Sequence, residues 1–282
     1  MASKFWNILK PTLDAIVFSN TWISLAALSL YLGLKLTLGL SPLFFEGVLV
    51  FSASFIAYNY LKLKGLNLEG NESVFNQWLK QYRNIVYALI VVVGFGFVYS
   101  ISKISIGQLI VLAIAGLLSL IYIGVERYNL RSFWFLKTQI VAFVWAWFIM
   151  GIALVDVFTE IHFALLAVLF AGVFFFILGL TIPFDIRDWK ADQHDDKMTT
   201  LPMVFGIKGT LVIALLHLLL SFICLFIYSY YAIILLPIFV IGGRRIYQLN
   251  SDSSEYAYTF FLDGLIVMVY PILWIAGFLY NL

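Results

Sequence analysis

Charge is what this chain has least of. Only 11% of its 282 residues are Asp, Glu, Lys or Arg, against 63% hydrophobic and 18% aromatic residues, and the mean hydropathy is +1.01. Soluble globular domains carry about 25% charged residues, so this scarcity excludes a water-soluble fold and points to a polytopic membrane protein. Cysteine is nearly absent as well: Cys224 alone allows no intramolecular disulfide and no thiolate metal cluster. The three histidines, His162, His194 and His217, are dispersed and make no ligand set. There is no low-complexity tract, no soluble domain, no linker long enough to separate two domains, and no sign of a nucleic-acid partner. The N-terminal segment has no small-residue cleavage pattern and is expected to be a first helix.

What the sequence has instead is apolar runs of about 20 residues, the length that crosses a bilayer. They lie near 14–34, 43–61, 85–100, 106–125, 138–155, 162–183, 209–229, 231–243 with a polar extension to about 249, and 256–282. The predicted fold is therefore all-α, nine transmembrane helices around a central cavity in one domain over 1–282. Basic residues favour cytoplasmic loops. With nine spans and the N-terminus inside, fifteen of the seventeen Lys and Arg residues fall on the cytoplasmic side, leaving Lys35 and Lys103 outside. The expected setting is integral, multi-pass, in a bacterial inner (cytoplasmic) membrane, with the C-terminus outside. The long polar loops near 62–84 and 185–208 both follow spans that end inside, which concentrates polar chemistry there. Those loops hold matching places in two four-helix blocks, about 13–125 and 138–249, so a weak internal duplication is expected, with Asn59 answering to Asp185.

The densest charge is in "PFDIRDWKADQHDDKMTTLPMVFG", Pro183 to Gly206. Asp185, Asp188, Asp192 and Asp196 are spaced by three, four and four, which puts them within about 80° of one another on a helix. Four like charges on one face repel, and Arg187 and Lys190 are expected to project elsewhere. The economical counter-charge is a hard divalent cation, Mg²⁺, which binds a few carboxylates together with phosphate oxygens and water. Carboxylates, magnesium and phosphate at the mouth of a membrane cavity indicate a diphosphate-bearing lipid.

This stretch resembles the second aspartate-rich motif of the UbiA-type intramembrane prenyltransferases, through Asp185, Arg187, Asp188, Asp192, Asp196, Thr200, Leu201, Pro202 and Gly206. The resemblance implies Mg²⁺-dependent transfer of a polyprenyl group from its diphosphate to a lipophilic, often aromatic acceptor. It also implies that Asp185, Asp188 and Asp192 hold metal and diphosphate, with Asp188 and Asp192 catalytic and Arg187 beside them. The first motif of that family, Asn-Asp-x-x-Asp-x-x-x-Asp after the second helix, is matched in "NYLKLKGLN" by Asn59 alone. Tyr60, Leu63 and Asn67 replace its acids. Lys62 and Lys64 enter nearby and offer cations directly to phosphate, while Glu69 and Glu72 are weak substitutes for the lost carboxylates. The family's Tyr-x-x-x-Lys element becomes Tyr122 and Glu126, so Arg127, Arg131 or Lys137 is expected to clamp the anion. Asp263, two turns inside the last span, and Asn20 in the first are expected to face the cavity, because an acid at that depth is costly unless it faces protein or water. Two rival readings stay open: a catalytically impaired relative that binds an isoprenoid or quinone as carrier, sensor or assembly partner, and a transporter.

Overall fold

A computed structural model describes residues 2–65, 73–124, 136–193 and 199–280. Among them the chain is entirely helical, in thirteen α-helices and two short 3-10 turns. Seven helices are long and apolar enough to cross a membrane, and a bent pair near the N-terminus makes up to eight. The protein is therefore an integral, multi-pass helical membrane protein.

The first expected span, 14–34, is not one helix. The chain forms α1 (Ala2–Phe18) and α2 (Thr21–Thr37), bent by 66° at the junction. Asn20 sits at the bend in the left-handed region, φ 61° and ψ 15°, a conformation that Asn tolerates better than most side chains. The bend is held from the side by α3 (Phe44–Gly65). Asn59 of α3 donates to the carbonyls of Ser19 and Phe55, each at 2.9 Å, and accepts from the Asn20 amide at 3.1 Å. A break inside a membrane protein frees backbone groups that need partners, and Asn59 supplies them.

The loop expected at 62–84 is shorter than predicted, because α4 (Val74–Ile101) begins at Val74, capped by the Ser73 hydroxyl, with a non-helical residue at Tyr82. Next come α5 (Ile106–Gly124) and α6 (Leu136–Leu154). α7 (Phe163–Thr181) runs directly into α8 (Phe184–Asp192). α9 (Leu201–Tyr228) starts eight residues earlier than expected and is kinked at Gly206, φ 68° and ψ 168°. The weak eighth run is a 3-10 turn, Tyr230–Leu235, then α10 (Leu236–Tyr247), whose Pro237 lies in its first turn where no amide partner is lost. The last run divides into α11 (Glu255–Thr259), α12 (Phe261–Val267) and α13 (Val269–Tyr280).

These helices run up and down, so the molecule has two ends. One carries α8, the break at Asn20, the end of α3 and the start of α12. The other carries the turns after α2, α4, α6 and α9. At that second end Lys35, expected in an outer loop, is buried instead. Its ammonium lies 3.0 Å from Glu46, which also accepts from Tyr31 and Gln108. Gln108 in turn donates to the Ile152 carbonyl at 3.0 Å. Every member of this network has a partner, as a stable buried polar cluster requires.

Lipid gives helices no hydrophobic reason to associate, so close packing and hydrogen bonds do that work. α7 and α9 meet through Gly172 and Gly179 against Leu225 and Leu218, and the Ser221 hydroxyl donates to the Gly172 carbonyl at 2.7 Å. At Gly151 an added Cβ would lie 2.4 Å from Val111. α4, by contrast, turns Val91, Val92, Phe95 and Val98 outward, where lipid can take them.

Candidate functional site

The acidic stretch does form a helix. Asp185, Asp188 and Asp192 all lie on α8, while Asp196, His194 and Lys197 are outside the described residues. Also outside them are Glu69, Glu72, Arg127 and Arg131.

The counter-charges come from the chain itself, which corrects the expectation for Arg187, whereas Lys190 does project elsewhere. The guanidinium of Arg187 folds back on its neighbour, with Nε 2.8 Å and Nη2 3.2 Å from the two oxygens of Asp188, while Nη1 reaches Glu255 on α11 at 3.2 Å. A planar fork matches a carboxylate in this way, and the Phe184 ring lies 4.8 Å from the same guanidinium. Lys190 pairs with Asp252 at 2.7 Å, in solvent. Lys137, in the first turn of α6, puts its ammonium 3.1 Å from Asp185 and 3.4 Å from Asp192. That ammonium stands between two acids expected to share a metal.

Around this bench the structure gathers further predicted residues. Lys62, at the end of α3, rests 4.4 Å from the Phe75 ring, and its charge acts on Asp188. Lys64, two residues further on, is exposed. Tyr122 on α5 acts electrostatically on both Lys137 and Tyr58. Asp263 on α12 is only 9% exposed, forms no hydrogen bond or ion pair among the described residues, and interacts with Arg187 through space. Asn20 and Asn59 stand apart from this set: their amides serve the α1–α2 break.

Sequence reasoning missed three participants. Glu255 binds Arg187. Tyr58, next to Asn59, accepts from the Trp145 indole at 2.8 Å and lies in the field of Asp263. Tyr256 donates to Asp14, tying α1 to the start of α11. Tyr58 was discoverable from its place one residue before the motif position; the other two were not, because their partners are remote in sequence.

Two features govern what the bench can do. Among the described residues five acids, Asp185, Asp188, Asp192, Glu255 and Asp263, face three cations, Lys137, Arg187 and Lys62. The described part of the cluster is thus rich in acids. The second feature is missing partners: Asp185 Oδ2, Trp189 Nε1 and Thr200 Oγ1 are buried without a hydrogen bond among the described residues. Native structures leave few buried polar atoms unpaired, and those that remain mark sites for water, ions or ligands.

The implied Mg²⁺ can be tested on these residues. Among the described residues no three His, Cys, Asp or Glu side chains come together as a metal group. Lys137 is shared by Asp185 and Asp192, and Arg187 covers both oxygens of Asp188. The described acids do not fit a resident magnesium ion.

An apolar cavity of about 340 Å³ lies toward the opposite end, between α2, α7, α9 and α13, with Leu30, Val173, Phe176, Tyr228, Val269 and Leu273 in its wall. On an ideal helix Asp185 is about 14 Å from Phe176, and Asp263 is about 9 to 15 Å from Val269 and Leu273. α7–α8 and α12–α13 therefore carry the polar bench at one end and line the apolar cavity further along. Comparison with protein-family models, curated proteins and solved structures finds no match. The family resemblance rests on the motif residues alone.

Proposed function

We propose that this chain binds a prenylated lipid with a small hydrogen-bonding headgroup, of the quinol class, within the membrane, and that it does so as a relative of the UbiA-type prenyltransferases that does not transfer the chain. The reading rests on one observation: the same helices carry buried polar groups, without partners among the described residues, at one end and line an apolar cavity toward the other. A ligand with a polar head and an apolar chain satisfies both. Cavities of this size and lining are typical of small-molecule sites.

The headgroup follows from charge. Among the described residues five acids against three cations disfavour an incoming anion, while Asp185 Oδ2 and the Asp263 carboxyl, unbonded among those residues, call for partners. Two quinol hydroxyls supply donors; a diphosphate does not. The ion pairs of Lys137 and Arg187 do the charge compensation that the transferases leave to magnesium. Counting the α1–α2 pair and the shorter α5 as crossings gives the nine spans the family has, with the α8 end cytoplasmic by the distribution of basic residues.

A second reading is Mg²⁺-dependent prenyl transfer to an aromatic acceptor. It is favoured by the proximity of Lys62 to Asp188, by the bare Asp185 Oδ2, and by Asp196 just beyond α8. One experiment separates the two. Purified protein in detergent is incubated with Mg²⁺ and labelled polyprenyl diphosphates plus an aromatic acceptor, and separately with a prenyl quinol. The binding reading expects saturable quinol binding, weakened by Asp263→Asn, and no diphosphate release. Metal-dependent release abolished by Asp188→Ala or Asp192→Ala would overturn it in favour of transfer.

A further inference from the structure

A separate group of residues lies at the end of α10. Arg244 and Arg245 occupy its last turn, both exposed, and neither makes an ion pair among the described residues. On α8 the comparable cations Arg187 and Lys190 each find a carboxylate. Arg245 is nonetheless fixed in place, with its guanidinium 4.2 Å from the Phe261 ring. Together with Ile241 and Gln248 the two arginines line a half-open surface groove of about 400 Å³.

The depth of this groove can be read from its neighbours. Leu236, Val240 and Ile241 are exposed apolar side chains on the same helix, suited to hydrocarbon. Tyr247, 76% exposed, comes two residues after Arg245, and Tyr is enriched where headgroups meet the acyl chains. The arginines thus lie at headgroup level, at the boundary between an apolar face and water.

The helix C-terminus favours positive charge through its dipole, which accounts for one basic residue there. It does not account for a groove lined by two guanidiniums that make no ion pair among the described residues. Guanidinium forks bind phosphate bidentately, and basic pockets at the ends of membrane helices take anionic lipid headgroups. We propose that Arg244 and Arg245, with Gln248, bind the phosphate of an anionic membrane lipid, whose acyl chains lie along Ile241, Val240 and Leu236.

The test uses the full chain in a mild detergent, with phosphatidylglycerol or phosphatidylcholine added and bound lipid counted by native mass spectrometry. Phosphatidylglycerol should be retained in preference to phosphatidylcholine. In the double variant Arg244→Gln, Arg245→Gln that retention should fall by about tenfold or more, since one charge-assisted contact is worth at least that factor. Thermal unfolding without added lipid shows whether the variant folds, and the single variant Arg244→Gln, which leaves Arg245 on Phe261, provides a second measurement with a smaller loss expected. Equal retention by the double variant, equal retention of the two lipids, or displacement by inorganic phosphate at the same concentration would each overturn the proposal. Quinol binding is expected to be unchanged in these variants, so this result and that of the bench are independent.

Discussion

At the scale of single residues, Lys137 has the largest influence on the bench. Its ammonium is shared by Asp185 and Asp192, both buried. Removing one partner of a buried ion pair leaves an uncompensated charge and typically costs about 3–5 kcal/mol. Lys137→Met should therefore destabilise the protein by about that amount, read as a lower thermal unfolding midpoint in detergent. Lys190→Met breaks an equally short pair, 2.7 Å to Asp252, but with both side chains mostly in solvent. Its effect should stay within about 1 kcal/mol. Equal effects from the two variants would mean that the environment of Lys137 is as wet as that of Lys190. The Lys137 pairing was not legible in the sequence, since 55 residues separate it from Asp192 and nothing local marks it. The spacing of the aspartates was legible, and α8 carries the three that are described. Reading Arg187 as pointing away failed because helix-face angles place Cβ atoms, whereas a long guanidinium folds back onto the next residue.

At the scale of elements, two helices are interrupted for different reasons. The break between α1 and α2 depends on polar bonds from α3. Asn59→Leu would leave the Ser19 carbonyl and the Asn20 amide buried without partners, which costs about 2–4 kcal/mol for two such groups. Asn59→Asp keeps the acceptor for Asn20 and loses the donors, so a smaller loss is expected; the two unfolding midpoints, compared, measure how much the donors matter. The kink in α9 depends on backbone conformation alone. At Gly206 a Cβ would meet nothing within 4 Å, yet φ is +68° with ψ 168°, a region that is essentially restricted to Gly. Gly206→Ala should cost about 1–3 kcal/mol although the space is empty. A neutral result would mean that the kink relaxes into continuous helix. The Gly206 position could be read from the motif, and the Asn20 break only in part: no Gly or Pro lies near the bend, but Ser19, Asn20 and Thr21 are weak helix formers that favour caps and turns. Their partner on another helix, Asn59, was not legible, and its hydrogen bonds hold the turn.

At the scale of the whole molecule, hydropathy located the apolar runs well and their ends poorly. Ends depend on caps and kinks such as Ser73, Tyr82 and Gly206, whereas the runs depend only on length and composition. The number of crossings turns on α5. Its 19 residues make about 28 Å of helix, just short of a hydrocarbon core of about 30 Å. Lys103 and Glu160 flank α5 and α6 together, so they share a side only if α5 crosses. Lys80, in the second turn of α4, and Lys103, just beyond its end, bracket the apolar part of that helix alone and must lie on opposite sides. In a Cys224→Ser background, Lys103→Cys and Glu160→Cys should react with a membrane-impermeant maleimide in intact cells. Lys80→Cys and Asp252→Cys should react only after permeabilisation, which puts the α8 end, with its carboxylates and arginines, in the cytoplasm. The reverse pattern would overturn the orientation while keeping the crossings. Labelling of Lys103→Cys and Glu160→Cys from different sides would instead remove α5 from the membrane and with it the nine-span reading.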